Sequence, residues 1–377
     1  KGEKTDLGDI ANLQFSGDKQ ESGIFVITSD GTVYMKDRQS GVYSDEYERS
    51  TKEVIIPSEI NGIKVKKLGN YMFCNYIALE TVGIPDGVTE IGNYAFYGCS
   101  KIDNIVMPNS VEWIGKGAFC ECSEIANIII PDGVTSIGDL AFAGCSGLEN
   151  IKMSENIQYV GDLAFAGTKW LKTLPEGLLY FGNILYAYNG EIPQGTTIEI
   201  KDGVTRINGE AFSNQEGLIA IKIPDSVTKI GGSAFSGCSE LTSIIIPDSV
   251  TSIGEDAFED CTKLSSIDIS DSIEYVGYDA FQRTAWLNNQ NDGVVYIGKI
   301  LYCYKGEMPS NTTITVKEGT TSIAGICFAE CTNLISITIP KSVTYIGMGA
   351  FYMCDNLKTI NYKGSKEDWN NITIEIQ

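Results

Sequence analysis

Apolar and polar positions recur along the chain with a period of 23 residues, and the unit Leu241–Lys263 shows the pattern clearly. Ile244 and Ile246 alternate with outward positions, which is typical of a strand with one buried face. Pro247 ends this strand because proline has no N–H to donate to a ladder. A bend and a short turn segment follow, and Phe258 packs inward from that segment. The pattern predicts one strand and one turn per unit.

A phenylalanine, usually after alanine, marks each unit and serves as its anchor. These anchors are Phe73, Phe96, Phe119, Phe142, Phe165, Phe212, Phe235, Phe258, Phe281, Phe328 and Phe351. Successive anchors lie 23 residues apart except for two steps of 47 residues, which begin at Phe165 and Phe281. A fixed period with Leu and Ile at set offsets predicts a leucine-rich-repeat solenoid, in which each turn buries its apolar face against its neighbours. We therefore predict an α/β solenoid, right-handed, with a parallel strand per turn, forming one elongated domain.

The departures from the period predict how the chain is divided. We predict a flexible leader at 1–22, an N-terminal cap at 23–53, the repeat solenoid at 54–360 with degenerate units near 174–197 and 290–313, and a C-terminal cap at 361–377. Ile24–Met35 reads as a hairpin around a Ser-Asp-Gly turn. In the C-terminal cap Ser365 is the expected N-cap of a short helix, and Trp369 is the expected lid. Exposed core at both ends of a solenoid requires such caps.

Composition argues against several classes of partner and function. The formal net charge of -21 and the pI near 4.4 argue against nucleic acid and anionic membrane surfaces as partners. No run of 18 apolar residues exists, so we expect no membrane insertion. Histidine is absent, which removes the usual general base and the commonest metal ligand. We predict no enzyme activity and no cofactor.

Cysteine occurs most often at one repeat position, three residues after the anchor phenylalanine. The seven cysteines there are Cys99, Cys122, Cys145, Cys238, Cys261, Cys331 and Cys354, out of 11 in the chain. Thr168, Gln215 and Thr284 take that position in other turns, so the site requires a small, weakly hydrogen-bonding buried side chain. Disulfides between adjacent turns are the alternative.

The repeat resembles a known family. Residues 224–238 and 247–261 both read Pro-Asp-Ser-Val-Thr-x-Ile-Gly-x-x-Ala-Phe-x-x-Cys, and 362–369 read Tyr-Lys-Gly-Ser-Lys-Glu-Asp-Trp. These segments resemble the BspA-like, or Treponema pallidum-type, leucine-rich-repeat family over residues 50 to 377. The resemblance implies a protein exported by anaerobic or mucosal bacteria or by parasites, with adhesion to host extracellular proteins as a frequent role and no catalytic motif. It implies a cell-surface or secreted location, with the signal peptide already removed from this chain.

The outward strand position forms the first candidate surface. It holds Val106, Ile129, Lys152, Lys222 and Ile245, among other residues. Small side chains beside this column leave room for a partner, and Val106 with Ile129 can act as an apolar anchor. An ordinary solvated sheet face is the alternative, because scattered exposed apolar residues are normal.

Aromatic residues just before the Ile-Gly bend form the second candidate surface. We predict neighbouring pairs, Tyr159 with Tyr180 and Tyr275 with Tyr296, near Trp170 and Trp286 respectively. Exposed rings of this kind can stack on sugars or anchor a protein. Cross-strand packing that repairs an irregular turn is the alternative.

Carboxylates after the strand-ending proline form the third column, which includes Asp225, Asp248 and Asp271. Each can accept a backbone N–H in its own turn, as in an Asx turn. Loosely bound Ca²⁺ is the alternative, because clustered carboxylates suit that ion. On these grounds we predict a monomeric binding protein for host extracellular proteins or glycans; a structural spacer for another module is the alternative.

Overall fold

The computed structural model describes residues 19–22, 24–36 and 50–375. Their contacts divide the chain into two compact units, unit 1 ending at Glu176 and unit 2 beginning at Gly177. Both units are built from turns that repeat about every 23 residues, so the predicted repeat fold is confirmed. Of the predicted leader, residues 1–18 lie outside the described residues, and Lys19–Ser22 form a strand.

The strands of unit 1 and its helix have the following bounds: β1 Lys19–Ser22, β2 Phe25–Thr28, β3 Thr32–Met35, β4 Glu53–Ile55, β5 Glu59–Ile60, β6 Ile63–Lys64, β7 Lys67–Leu68, β8 Thr81–Gly83, β9 Glu90–Ile91, β10 Trp113–Ile114, β11 Asn127–Ile129, β12 Ser136–Ile137, β13 Asn150–Lys152, β14 Tyr159–Val160 and α1 Lys169–Thr173. Eight of them form one sheet in the order β1-β2-β3-β7-β9-β10-β12-β14. The hairpin predicted at 24–35 is present as β2 and β3, and β3 pairs in parallel with β7.

Unit 2 contains β15 Gly177–Phe181, β16 Ile184–Asn189, β17 Thr196–Glu199, β18 Arg206–Ile207, β19 Leu218–Lys222, β20 Lys229–Ile230, β21 Ser243–Ile245, β22 Ser252–Ile253, β23 Ser266–Asp268, β24 Tyr275–Val276, β25 Gly293–Ile297, β26 Ile300–Lys305, β27 Thr312–Thr315, β28 Ser322–Ile323, β29 Leu334–Ile339, β30 Tyr345–Ile346, β31 Thr359–Tyr362 and β32 Thr373–Ile374, with helices α2 Ala285–Asn288 and α3 Lys366–Asn370. Its larger sheets run β15-β16-β18-β20-β22-β24 and β25-β26-β28-β30-β32.

A regular turn contributes two strands rather than the one predicted. In unit 2, β21 pairs in parallel with β23, while β22 pairs with both β20 and β24. The second strand forms where Ser252 and Ile253 precede the glycine bend, because an inward Ile beside an outward polar residue suits a short parallel ladder. Backbone hydrogen bonds between successive phenylalanine turns form a third ladder, such as that from Phe258 N–H to the Ala280 carbonyl at 2.7 Å.

The anchor phenylalanines form the centre of the core. All are fully buried except the last, Phe351, which is half-buried. Their rings stack on those of neighbouring turns, with centroids 5.1 Å apart for Phe96 with Phe119 and for Phe235 with Phe258. Offset stacking adds to the free energy gained from apolar burial. The inward orientation predicted for these residues is confirmed.

The two 47-residue steps, predicted as degenerate repeat units, have a different internal structure. Each contains an antiparallel hairpin, β15 with β16 and β25 with β26. The chain reverses at Gly182 and Gly298, both with positive φ (57° and 52°). In a regular turn a two-residue strand precedes the glycine bend. Here the second hairpin strand, not the first, takes the position of that short strand, since Ile300 pairs in parallel with Ser322.

Residues 366–374 contain the predicted helix and strand. Ser365 is the N-cap of α3, where its hydroxyl accepts the Asp368 N–H and the Asp368 carboxylate accepts the Ser365 N–H in return. The Trp369 ring lies edge-on to Tyr362 with centroids 5.3 Å apart. The following strand, β32, pairs in parallel with β30.

Candidate functional site

Unit 1 exposes a row of apolar side chains on its outward strand positions, which we call the apolar stripe and define as Ile55, Gly83, Val106 and Ile129. The three large side chains are 72%, 70% and 62% exposed, respectively. Ile55 is directly opposite Gly83 in a parallel pair, and a bridge joins Gly83 to Val106. Adjacent strands lie about 4.8 Å apart, so Ile55 and Val106 lie on either side of Gly83 in the same row.

Gly83 makes a notch in the apolar stripe. A side chain added there would contact Ile55 Cγ2 at 3.6 Å, which is ordinary van der Waals distance. The missing side chain therefore leaves a shallow depression between two exposed apolar neighbours, Ile55 and Val106. The sequence identified Val106 and Ile129 but not Ile55, because the five extra residues around Asn61 and Gly62 obscured the alignment of the first turn. Those extra residues form the hairpin β5–β6.

The same position in unit 2 is mostly charged or polar. Glu199 is opposite Lys222, and their side chains form an ion pair at 2.5 Å. Ile245 is 67% exposed and is directly opposite Asp268. In unit 1, the predicted site residue Lys152 is opposite Ile129 and ends the apolar stripe with a charge. The candidate column is therefore apolar over several turns only in unit 1.

The candidate tyrosines are half-buried, and Tyr159 and Tyr180 each have a polar contact. In unit 1 the Tyr159 hydroxyl donates to Asp139 Oδ1 at 3.3 Å. In unit 2 the Tyr180 hydroxyl accepts the Lys201 backbone N–H at 3.5 Å, and the Lys201 ammonium lies 4.1 Å from the ring centroid. These contacts fix the orientation of both rings.

Tyr275 and Tyr296 require a correction to the predicted pairing. The ring beside Tyr275 is that of Tyr345, with centroids 6.1 Å apart and planes at 79°. Tyr296 lies on the antiparallel strand β25, and its hydroxyl accepts the Lys317 backbone N–H at 3.0 Å. The reason is the hairpin, which places Ile300 rather than Tyr296 in the short-strand ladder. Sugar stacking on these rings stays a prediction.

The two candidate tryptophans extend the phenylalanine stacks. The Trp170 ring lies 5.0 Å from that of Phe165, and the Trp286 ring lies 5.4 Å from that of Phe281. Both follow an N-cap threonine, Thr168 or Thr284, whose hydroxyl accepts a helix N–H. Both indoles are half-buried, so packing accounts for much of their surface.

Asp225, Asp248 and Asp271 are exposed and lie on successive turns. The predicted Asx turns are replaced by contacts of the neighbouring serines: the hydroxyl of Ser249 donates to the Val227 carbonyl at 2.7 Å. Among residues 19–22, 24–36 and 50–375, no group of three or more His, Cys, Asp or Glu could hold a metal ion. Weak calcium binding stays a prediction.

The repeated cysteine position has the predicted role. The thiols of six cysteines at this position donate to the carbonyl of the anchor phenylalanine of the previous turn at 2.9 to 3.1 Å; they are Cys99, Cys122, Cys145, Cys238, Cys261 and Cys354. All 11 cysteines are free, so the inter-turn disulfides are absent. Burial raises the pKa of Cys145 and Cys238 to about 12, which makes these thiols poor nucleophiles.

Comparison with known proteins agrees with this geometry. A six-copy family model described as a BspA type leucine rich repeat region matches residues 66–192, 185–299 and 295–373. The chain belongs to the BspA-type leucine-rich-repeat family. The matched residues include most of the apolar stripe and both hairpins. No curated protein shows significant sequence similarity to the chain.

Several solved structures are similar to this BspA-type chain. A leucine rich cell surface protein from Faecalibacterium prausnitzii is 25% identical, with 95% of this chain and 98% of that chain covered and a TM-score of 0.37. The pneumococcal vaccine antigen PcpA is 16% identical, covering 93% and 100%, with a TM-score of 0.41. The T. pallidum leucine rich repeat protein is 20% identical, covering 71% and 91%, with a TM-score of 0.24.

The helices described here are four or five residues long. In the described part of the chain, none is long and apolar enough to span a lipid bilayer.

Proposed function

We propose that this protein is a non-enzymatic binding protein, displayed at the cell surface or secreted, that adheres to host or microbial macromolecules through the apolar stripe. The observation that carries this proposal is the exposure of Ile55, Val106 and Ile129 in one row on unit 1. Contiguous exposed apolar surface rimmed by polar residues marks interaction sites in soluble proteins.

The surroundings of the apolar stripe favour a protein partner. On one side lie small polar residues such as Asn127 and Asn150, whose side chains hydrogen-bond to each other at 2.8 Å. Because these side chains are small, they protrude little from the sheet and leave room for a partner. The Gly83 notch can accept a protruding apolar side chain of that partner. The negative charge of the protein disfavours binding of nucleic acid, because a net charge of -21 repels the phosphate groups. The proposed partner therefore presents apolar side chains on a flat or extended protein surface.

A binding screen with purified chain against extracellular-matrix proteins and mucins tests the proposal. For any partner found, we expect Val106→Glu with Ile129→Glu to weaken binding roughly 30-fold, since buried interface anchors contribute about 2 kcal/mol or more. Surface plasmon resonance gives the dissociation constants. Circular dichroism confirms that the variant is folded.

Ile245→Glu is the matched control, because Ile245 is equally exposed at the same repeat position but lies opposite Asp268. It should change affinity less than twofold. Equal losses for both variants, or a panel without any partner, would count against the apolar stripe. The second outcome favours the spacer role, in which the repeats only hold another module away from the cell.

A further inference from the structure

The turn ladder of unit 2 is regular before its second hairpin. In a regular step, the backbone N–H groups of Asp256, Phe258 and Asp260 donate to carbonyls of the next turn at 2.7 to 3.1 Å. Three hydrogen bonds thus join each pair of neighbouring turns. This ladder satisfies the donors of one turn and the acceptors of the next.

The hairpin β25–β26 interrupts this ladder and replaces only its middle rung. The Phe281 N–H donates to the Tyr302 hydroxyl at 2.9 Å, and the Tyr304 N–H donates to the Cys327 carbonyl at 3.0 Å. The chain thereby connects the turn at 279–283 to the turn at 326–330 through one strand. A complete turn would have filled the space on both sides of that strand.

The first and third hydrogen bonds of the ladder are missing on both turns. Within the described residues, the N–H groups of Asp279 and Arg283 and the carbonyls of Gly325 and Ala329 make no hydrogen bond. Asp279 and Arg283 have φ values of 52° and 59°, close to the 54° and 58° of Asp256 and Asp260. The backbone conformation of the regular turn is thus retained, so these donors point where the next turn would lie.

A groove occupies the position of the absent turn. Its volume is about 420 Å³, which falls within the range of ligand pockets. Its lining includes Asp279, Gln282, Tyr304, Ile326, Ala329 and Cys331. Ile326 is exposed, while Tyr302 and Cys327, which also line the groove, are buried. The groove is therefore lined by the open donor residue Asp279 on one turn and by the open acceptor residues Gly325 and Ala329 on the other, with Ile326 among its apolar residues.

We propose that this groove binds an extended peptide segment of a partner protein. A peptide has an N–H and a carbonyl on each residue, so it can accept the Asp279 N–H and donate to the Gly325 or Ala329 carbonyl. Proteins commonly recognise peptides by completing an interrupted backbone ladder in this way. An apolar peptide side chain would pack on Ile326, and a cationic one would lie beside the Asp279 carboxylate. This site lies in unit 2 and is independent of the apolar stripe.

Amide exchange tests the open rungs directly. In the free protein, the amides of Asp279 and Arg283 should exchange at least tenfold faster than those of Asp256 and Asp260, which occupy the same repeat positions in a complete ladder. Residue-resolved hydrogen–deuterium exchange measures this difference. Equal protection of the two pairs would mean that the ladder is closed and would overturn the proposal.

Peptide selection tests the ligand class. A phage-displayed heptapeptide library is selected on the full chain, and the enriched peptides are synthesised. Ala329→Arg, which fills the groove from one wall, should weaken their binding at least tenfold. Ser236→Arg is the matched control, since Ser236 occupies the same repeat position in an uninterrupted ladder, and it should leave binding within twofold of wild type. Bound peptide should also slow exchange at Asp279.

Three results would overturn the peptide assignment. A library that yields no binder rejects it, as do peptides that bind Ala329→Arg as well as wild type. Oligosaccharides that bind in an Ala329→Arg-sensitive manner, when no peptide does, would assign the groove to glycans instead. Because Val106 and Ile129 belong to unit 1, their variants should not affect peptide binding, and failure of either proposal leaves the other testable.

Discussion

Units 1 and 2 are built from the same turn but differ in the residues that they present to solvent. At the outward strand position unit 1 has Ile55, Val106 and Ile129, whereas unit 2 pairs Glu199 with Lys222. The inward positions are alike in both, with buried anchor phenylalanines in every turn but the last, where Phe351 is half-buried. The inward residues thus account for the fold that the two units share, while the outward residues differ and give the units different surfaces.

The turn that follows the glycine bend shows the same contrast. At its positive-φ position unit 1 has Tyr71 and Tyr94, whose rings stack with centroids 5.1 Å apart. Unit 2 has Asp256 and Asp279 at the corresponding position. Unit 1 is therefore more apolar on two of its surfaces, and unit 2 is more acidic.

The largest effect should come from the core, where the two units ought to respond alike. Phe119→Ala in unit 1 and Phe235→Ala in unit 2 each remove a fully buried ring stacked on both sides. We expect each to lower the free energy of unfolding by about 3 to 5 kcal/mol. Urea denaturation followed by circular dichroism measures both. A loss below about 1 kcal/mol in only one unit would show that the two cores are not equivalent.

Sequence patterns predicted the core well, because the 23-residue period places the same residue types inward in every turn. They did not predict the hairpins β15–β16 and β25–β26. Leu178–Phe181 has the spacing of a normal unit, but the chain reverses at Gly182 and Ile184 takes the ladder position instead. Local spacing does not reveal which of two similar segments pairs with the next turn, since that choice depends on contacts across the sheet.

The candidate sites were predictable to different degrees. Exposure of Val106 and Ile129 follows from strand alternation, which fixes the outward face. The unit 2 groove could not be found in this way. It depends on ladder hydrogen bonds that the Asp279 N–H and the Ala329 carbonyl do not make. A pattern of residue types does not reveal which backbone groups are unpaired.

The next largest effect, a change in binding, should come from substitutions that make the outward strand position of unit 2 apolar like that of unit 1. Lys222→Ile together with Asp268→Ile would place apolar side chains on both sides of Ile245. If exposed apolar surface is sufficient for binding, the variant should gain a second site for the partner that binds unit 1. Unit 2 of the variant should bind this partner roughly tenfold more tightly than unit 2 of the wild type does. Isothermal titration calorimetry should then give a stoichiometry of two.

Lys222→Gln with Asp268→Asn is the control for this exchange. It removes the same two charges but adds no apolar surface, so the stoichiometry should stay at one. A second site in this control would show that loss of charge, not apolar contact, creates binding.

A smaller effect is expected from the acidic turn of unit 2. Burial raises the pKa of Asp256 to about 6, and nearby Glu259 and Asp279 add to the shift. Between pH 4 and 6 the folded protein therefore holds a proton that the unfolded chain has released, so stability falls as the pH rises. Asp256→Asn should raise the free energy of unfolding at pH 7 by about 1 kcal/mol, because solvent screening reduces the full effect of the shift.

Ser233→Asn controls for backbone conformation in this test. Ser233 has a φ of 52° at the same repeat position, where asparagine is also well tolerated. Its effect should be the same at pH 4 and pH 7. Thermal unfolding at both values separates the two variants, and an Asp256→Asn effect that does not depend on pH would refute the electrostatic explanation.

The smallest effect should come from the Glu199–Lys222 ion pair. Hydrogen bonding to Glu199 raises the pKa of Lys222, but both side chains are largely exposed, and exposed pairs contribute little to stability because water and salt screen them. Glu199→Gln should therefore leave the melting temperature unchanged within error at 150 mM salt. A clear drop, reversed by Lys222→Gln on top of it, would mean that unit 2 needs its charges for folding. The outward positions would then be constrained by the fold in unit 2 and free only in unit 1.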